Sequence, residues 1–165
     1  MDQSKVIQEL SANKLPDVLP YDMREDVKRA IDDFRNIGTQ AYCVVLYNMG
    51  LMSVTKNGIQ LASVLCVPVD LSKKTVNFPK NKMKFDDPKM YVAAVCYNNG
   101  NTADILLLPA SMFAVRPLSF FKRLFNKALV TEEQGELVLN TKRVNSPSLK
   151  KYTFNAMLGQ LQGAN

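Results

Sequence analysis

The stretch from Tyr91 to Leu108 constrains this chain more than any other. Tyr91-Val92-Ala93-Ala94-Val95-Cys96-Tyr97 is continuous, apolar and strand-sized. Without polar alternation it reads as a strand buried on both faces. Asn98-Asn99-Gly100-Asn101 then supplies residues that tolerate left-handed backbone, and Ala103–Leu108 returns as a second apolar run. The two runs and their turn spell an antiparallel hairpin. A strand apolar on both sides needs a cover on each, so the rest of the sequence is read for what supplies those covers.

Two further strand regions precede the hairpin. Ala41–Asn48 is also a continuous apolar run and is expected to be buried on both faces. Asn57-Gly58 marks a tight turn between Met52–Thr55 and Ile59–Val69. Pro68 is expected to end that second strand or to lie on a sheet edge, because it cannot donate to a ladder. Thr75–Phe78 and Lys82–Phe85 read as short strands around Pro79, and Glu136–Thr141 as another extended segment after a Thr131–Gly135 loop.

Helical signals flank the strands. Asp22 stands where an N-cap belongs, with Glu25 three residues on as in a capping box. Val27, Ala30, Ile31, Phe34 and Ile37 recur at helical spacing, and Gly38 is placed to end the helix. Pro117 suits a first helical position, with Leu118, Phe121, Leu124, Phe125 and Ala128 on one face. Ser146-Pro147 opens a last helix with Leu149, Tyr152, Met157, Leu158 and Leu161 as its apolar side. Upstream, Ser4–Ser11 reads as a short helix, and Leu15–Pro20 as extended, because each proline disfavours helix in the residue before it. The expected fold class is α+β. A mixed or antiparallel central sheet of about five to six strands is flanked by an N-terminal helix and two C-terminal helices. The expected organisation is a single domain over residues 1–165, with an N-terminal arm or short helix over 1–20 and a folded core over 21–165.

Composition narrows the chemistry. The chain has no histidine, which removes Ser-His-Asp and Cys-His nucleophile systems and histidine-based zinc sites. Cys43, Cys66 and Cys96 are an odd, unpaired set inside apolar runs, so they read as buried reduced thiols of a cytoplasmic or other reducing intracellular compartment. The first residues lack the layout of a secretory signal, and no apolar run approaches the length of a membrane helix. There is no phosphate loop and no Gly-x-Gly-x-x-Gly. Neither a cofactor nor a metal is expected. Metal-assisted hydrolysis survives as the main enzymatic option, and its candidate acids outside the first helix are Asp70, Asp86, Asp87, Asp104, Glu132, Glu133 and Glu136. Asp86-Asp87 before Pro88, and Asp70 before Ser72, also read as turn chemistry, and Asp104 as a solvent-facing strand residue.

Asp87–Tyr97 followed by Thr102–Phe113 resembles the late strand pair of the restriction-endonuclease-like (PD-(D/E)xK) fold, in which an apolar strand is followed by a second one ending in a proline-containing turn. The helix ending near Ile37-Gly38 and the closing segment Ser146–Tyr152 are similar to elements of that family. The resemblance implies a metal site with an acid on one central strand and an acid or glutamine, any residue and a lysine on the next. The corresponding strand here, Gln60–Val67, has no acid and no lysine, and Met52–Thr55 offers no acid. The resemblance therefore implies a non-catalytic relative.

The formal net charge is +6 and is unevenly spread. Residues 1–38 carry six basic and eight acidic side chains, residues 39–115 seven and four, and residues 116–165 eight and three. A basic C-terminal third suits an anionic partner such as nucleic acid. Lys122, Arg123, Lys127, Lys142, Arg143, Lys150 and Lys151 are the candidate nucleic-acid-binding residues. The leading expectation is a non-enzymatic binding or interaction module with no membrane association. The alternatives are a structural or assembly protein with a protein partner or self-association, and a divalent-metal nuclease.

Overall fold

The computed structural model describes residues 20–48, 50–114 and 129–163. Eight strands among these residues form two sheets: β1 (Val44–Asn48), β2 (Leu51–Lys56), β3 (Ile59–Asp70), β4 (Thr75–Pro79), β5 (Met90–Asn98), β6 (Asn101–Pro109), β7 (Val130–Glu133) and β8 (Glu136–Asn140). The main sheet has the order β1-β2-β3-β5-β6, antiparallel throughout except for the parallel β3–β5 pair. The second sheet is antiparallel, in the order β4-β8-β7. Helix α1 (Glu25–Gln40) precedes β1, the single-turn α2 (Thr141–Val144) follows β8, and α3 (Phe154–Gly163) closes the described chain. The fold is α+β with a mixed central sheet, as the sequence implies.

The layers follow from strand periodicity. Ala62, Val64 and Cys66 of β3 and Ala93, Val95 and Tyr97 of β5 point to one face. There they meet Ala30 and Phe34 of α1 and Phe154, Met157 and Leu158 of α3. The Phe34 and Phe154 rings pack edge to face, 5.6 Å between centroids, and join the two helices. The alternate residues, Leu65, Val67 and Val69 with Val92 and Ala94, face the second sheet, where Phe78, Leu137 and Leu139 cover them. β3 and β5 are thus buried on both sides, and each fully buried large aliphatic side chain contributes about 1.5–3 kcal/mol.

Several local expectations are corrected. Helix α1 starts at Glu25 with Arg24 at its N-cap, while Asp22 lies in a 3-10 turn, Tyr21–Met23, and accepts a hydrogen bond from the Tyr47 phenol. Gly38 does not end the helix. It is buried inside it, where a Cβ would lie 2.5 Å from Val45 Cγ2, so glycine permits the close approach of α1 to β1. The reversal falls at Tyr42, which has a φ of 62°. The Ala41–Asn48 run is not buried on both faces: β1 is a sheet edge, and Val44 and Leu46 are 55% and 59% exposed.

Pro68 sits within β3, opposite Val95 of β5, beyond the last β2 partner at Val64. Its missing N–H therefore costs no β2–β3 hydrogen bond. Lys82–Phe85 is not a strand, the chain there forming a 3-10 turn at Lys80–Lys82. Thr131–Gly135 contains most of β7 and a tight turn, with Gln134 and Gly135 both at positive φ. The last helix is interrupted: Pro147–Tyr152 is 3-10, capped by Ser146, and α3 begins only at Phe154. The helices expected at Ser4–Ser11 and from Pro117 lie outside the described residues.

Candidate nucleic-acid interface

Thr75 pairs with Asn140 at one end of the β4–β8 ladder. That register sets the turn before β4 beside the start of α2. The Thr141 hydroxyl, buried, donates to the carbonyls of both Lys73 and Lys74, and the Thr141 backbone N–H donates to Lys74. Asn140 caps α2, its side-chain oxygen accepting from the N–H groups of Lys142 and Arg143. Two lysine-bearing turns are thereby fixed against each other.

The result is an open groove of about 990 Å3 whose lining includes Lys73, Lys74, Lys142 and Arg143. Among the described residues no carboxylate lines it, while Ser72, Thr75, Thr131 and Asn145 add neutral hydrogen-bonding groups. None of the four cations makes an ion pair among the described residues, whose pairs are Arg24–Asp26, Lys28–Glu25, Arg29–Asp33, Lys80–Glu132 and Lys150–Asp104. The closest acid in sequence, Asp70, accepts from the hydroxyl and backbone N–H of Ser72. Those bonds, with a smaller contribution from Lys73, hold its carboxyl below the usual range.

The seven candidate residues separate. Lys142 and Arg143 line the groove. Lys150 is paired with Asp104, and Lys151 lies 5.3 Å from the centroid of the Tyr152 ring. Both are on the 3-10 segment Pro147–Tyr152 and not on an α-helix, and neither lines the groove. Lys122, Arg123 and Lys127 lie outside the described residues. Lys73 and Lys74 are not among the candidates that charge alone points to, and Lys73 reads in the sequence only as turn chemistry beside Asp70 and Ser72. Their partnership with Thr141 spans 68 and 67 residues, a distance over which local pattern carries no signal.

A second cleft, of about 490 Å3, adjoins the groove and shares Lys73 and Thr75 with it. Arg24, Glu25, Asp26 and Arg29 at the start of α1, together with Asp70, Asn77 and Tyr97, also line it. Arg29 stacks on Tyr97, its guanidinium carbon 4.5 Å from the ring centroid, and donates to the Gly100 carbonyl at 2.6 Å. Tyr97 in turn donates to Asp33 at 2.7 Å. Arg24 stacks on Tyr21 at 5.5 Å and makes a two-bond pair with Asp26.

The acids weighed as metal ligands do not assemble. Asp70 is committed to Ser72, Asp87 accepts from the Lys89 N–H, and Asp104 pairs with Lys150. Among the described residues no three cysteine, aspartate or glutamate side chains are placed to hold a metal ion together. All three cysteines are free and buried, and burial pushes the thiols of Cys66 and Cys96 up to about 12. Among the described residues no helix is long and apolar enough to cross a membrane. No protein family, curated protein or solved structure matches the chain.

Proposed function

We propose that this protein is a non-enzymatic binding module that holds the phosphate backbone of a nucleic acid in the groove formed by Lys73, Lys74, Lys142 and Arg143. The observation that carries this reading is that four cations, none with a carboxylate partner among the described residues, converge on one groove. Elsewhere on the described surface Lys80 and Lys150 are neutralised by acids. Such a groove takes phosphates through charge and counterion release and reads no base on its own. The free buried thiols support a reducing compartment. The parallel β3–β5 pair followed by the β5–β6 hairpin, with no acid or lysine from Gln60 to Val67, supports a non-catalytic relative of the restriction-endonuclease-like fold.

Fluorescence anisotropy of a labelled oligonucleotide across a salt series tests the groove. Four neutralised phosphates give a log K against log salt slope of about −3 to −4. Lys142→Glu with Arg143→Glu should weaken binding at least tenfold and flatten that slope by about half. No binding at about 100 μM protein in low salt, or unchanged binding by the double variant, overturns the reading.

A second reading, self-association through β1, is favoured by the state of that edge. β1 has no charge, no proline and no bulge, and Val44 and Leu46 project from one face into solvent. The opposite edge is covered: Leu106 of β6 bridges Thr153, and Lys150 pairs with Asp104. Residues 39–48 carry no charge in a chain of net charge +6, so this edge lets two like-charged copies approach. Antiparallel pairing about Leu46 would set Val44 of one copy opposite Asn48 of the other. Sedimentation equilibrium over a concentration series tests this, and a monomer at every concentration rules it out.

A further inference from the structure

We propose that the cleft walled by Arg24, Arg29 and Tyr97 receives one unpaired nucleobase, so that the nucleic acid held in the groove is single-stranded. This inference rests on the groove reading and names the class of strand that the groove takes.

Three observations lead to it. The first is continuity. Lys73 and Thr75 line both spaces, so a backbone lying along Lys74, Lys142 and Arg143 passes the mouth of the cleft at Lys73. The second is the platform. The Arg29 guanidinium carbon lies over the Tyr97 ring, 4.5 Å from its centroid, while the side chain is still 52% exposed. Its position is locked by Gly100, and that of Tyr97 by Asp33. A fixed planar cation resting on an aromatic ring is a surface on which an unstacked base lies flat. Arg24, stacked on Tyr21 and held by Asp26, walls the same cleft in the same way. Neither arginine spends entropy on ordering when a ligand arrives.

The third observation is the residual polarity. Three carboxylates, Glu25, Asp26 and Asp70, line the cleft against three cations, Arg24, Arg29 and Lys73, so its described lining is balanced in charge and suits a neutral base better than a phosphate. Asn77, on β4, presents a side-chain amide that makes no hydrogen bond among the described residues. An amide both donates and accepts, which suits the edge of a base. A duplex keeps its bases paired and stacked and has none to offer such a cleft without the cost of flipping one out.

The test is anisotropy with three probes of one length and sequence, about twelve nucleotides. They are a single strand, its duplex, and the single strand with its bases replaced by abasic sites. Wild type is compared with Arg29→Lys, which keeps the charge and removes the plane, and with Lys142→Glu/Arg143→Glu. Wild type should bind the intact single strand about tenfold more tightly than the abasic strand, and more tightly than the duplex. Arg29→Lys should bring the intact strand down to the abasic level, leaving duplex affinity and salt slope unchanged. The groove variant should weaken all three probes. Equal affinity for the three probes, with a silent Arg29→Lys and a weakened groove variant, overturns the single-strand inference and leaves the groove standing. A groove variant that binds all three like wild type overturns both.

Discussion

The Thr141 side chain donates to the Lys74 carbonyl at 3.0 Å across 67 residues of sequence, and this contact sets the shape of the groove. Thr141→Val keeps the volume and removes the donor, leaving the Lys73 carbonyl without its side-chain partner. The expected cost is about 1–3 kcal/mol in urea unfolding. Affinity for an oligonucleotide should fall with it, at temperatures where the variant is still fully folded. Wild-type affinity in a destabilised variant would show that the lysines reach the ligand without this clamp.

Not every exposed lysine should matter. Lys150 carries a charge that Asp104 already offsets, so Lys150→Gln should change oligonucleotide affinity less than about twofold at moderate salt, where a free groove cation counts for more. Anisotropy beside a Lys142→Gln control measures the contrast. An equal loss in both variants would mean that net charge, and not the groove, drives binding.

Gly38→Ala separates helix propensity from packing. Alanine is favoured over glycine in a helix interior by about 1 kcal/mol. Here the added methyl meets Val45 at 2.5 Å, and a β-branched side chain has little room to turn away. The overpacking cost, about 1–3 kcal/mol, should prevail and destabilise the protein. Gly38→Ala with Val45→Ala should recover part of the loss in thermal or urea unfolding. An increase in stability from Gly38→Ala alone would sink the packing argument.

Stability should fall at high pH. Burial raises the thiols of Cys66 and Cys96 to about 12 in the folded chain, against 9.0 for an unperturbed thiol. Above pH 9 the unfolded chain has lost these protons and the folded chain has kept them, so the unfolded state gains. The contribution is whole below pH 9 and is lost progressively between about pH 9 and 12. Urea titrations followed by circular dichroism should show a plateau near neutrality and a decline above pH 9, shallower in a Cys66→Ala/Cys96→Ala variant compared with its own plateau; the remaining decline comes from Cys43 and from Tyr21, Tyr47, Tyr91 and Tyr97, which burial also pushes up. In native protein at pH 8, thiol labelling should be slow at both sites and fast only in denaturant.

The free edge makes a prediction of its own. Leu46→Lys places a charge on the exposed face of β1, the means by which edge strands commonly resist pairing. It should abolish any concentration-dependent association in sedimentation while shifting monomer stability by no more than about 0.5 kcal/mol. Association that persists unchanged places the contact elsewhere.

The parts of this fold legible in the sequence were those fixed by single residues or by short periods. Asn57-Gly58 and Asn99-Gly100 announce their hairpins because both residues of each pair adopt positive φ. Tyr91–Tyr97 was readable as a doubly covered strand because its alternate residues are all apolar. The same pattern misled at Ala41–Asn48, where an apolar run marks an open edge, since composition does not say which strand lies outermost. Gly38 looked like a terminator, while its role depends on Val45, a residue of the neighbouring strand. Lys142 and Arg143 were found by charge counting, and Lys73 and Lys74 were not, because only the β4–β8 register brings them together.

The excursion of the chain between β3 and β5 has a consequence for biosynthesis. These parallel neighbours are connected through β4, which belongs to the other sheet and pairs there with β8, a strand that leaves the ribosome long after β6. Among the described residues, Val44 to Pro109 contain every strand of the main sheet, so those strands are all made before β4 has its partner. A nascent chain halted before Val130 has Lys73 and Lys74 but neither Lys142 nor Arg143, nor the threonine that clamps the two turns. The groove therefore exists only in a chain synthesised through α2, and a truncated product carries half of its charge and none of its shape.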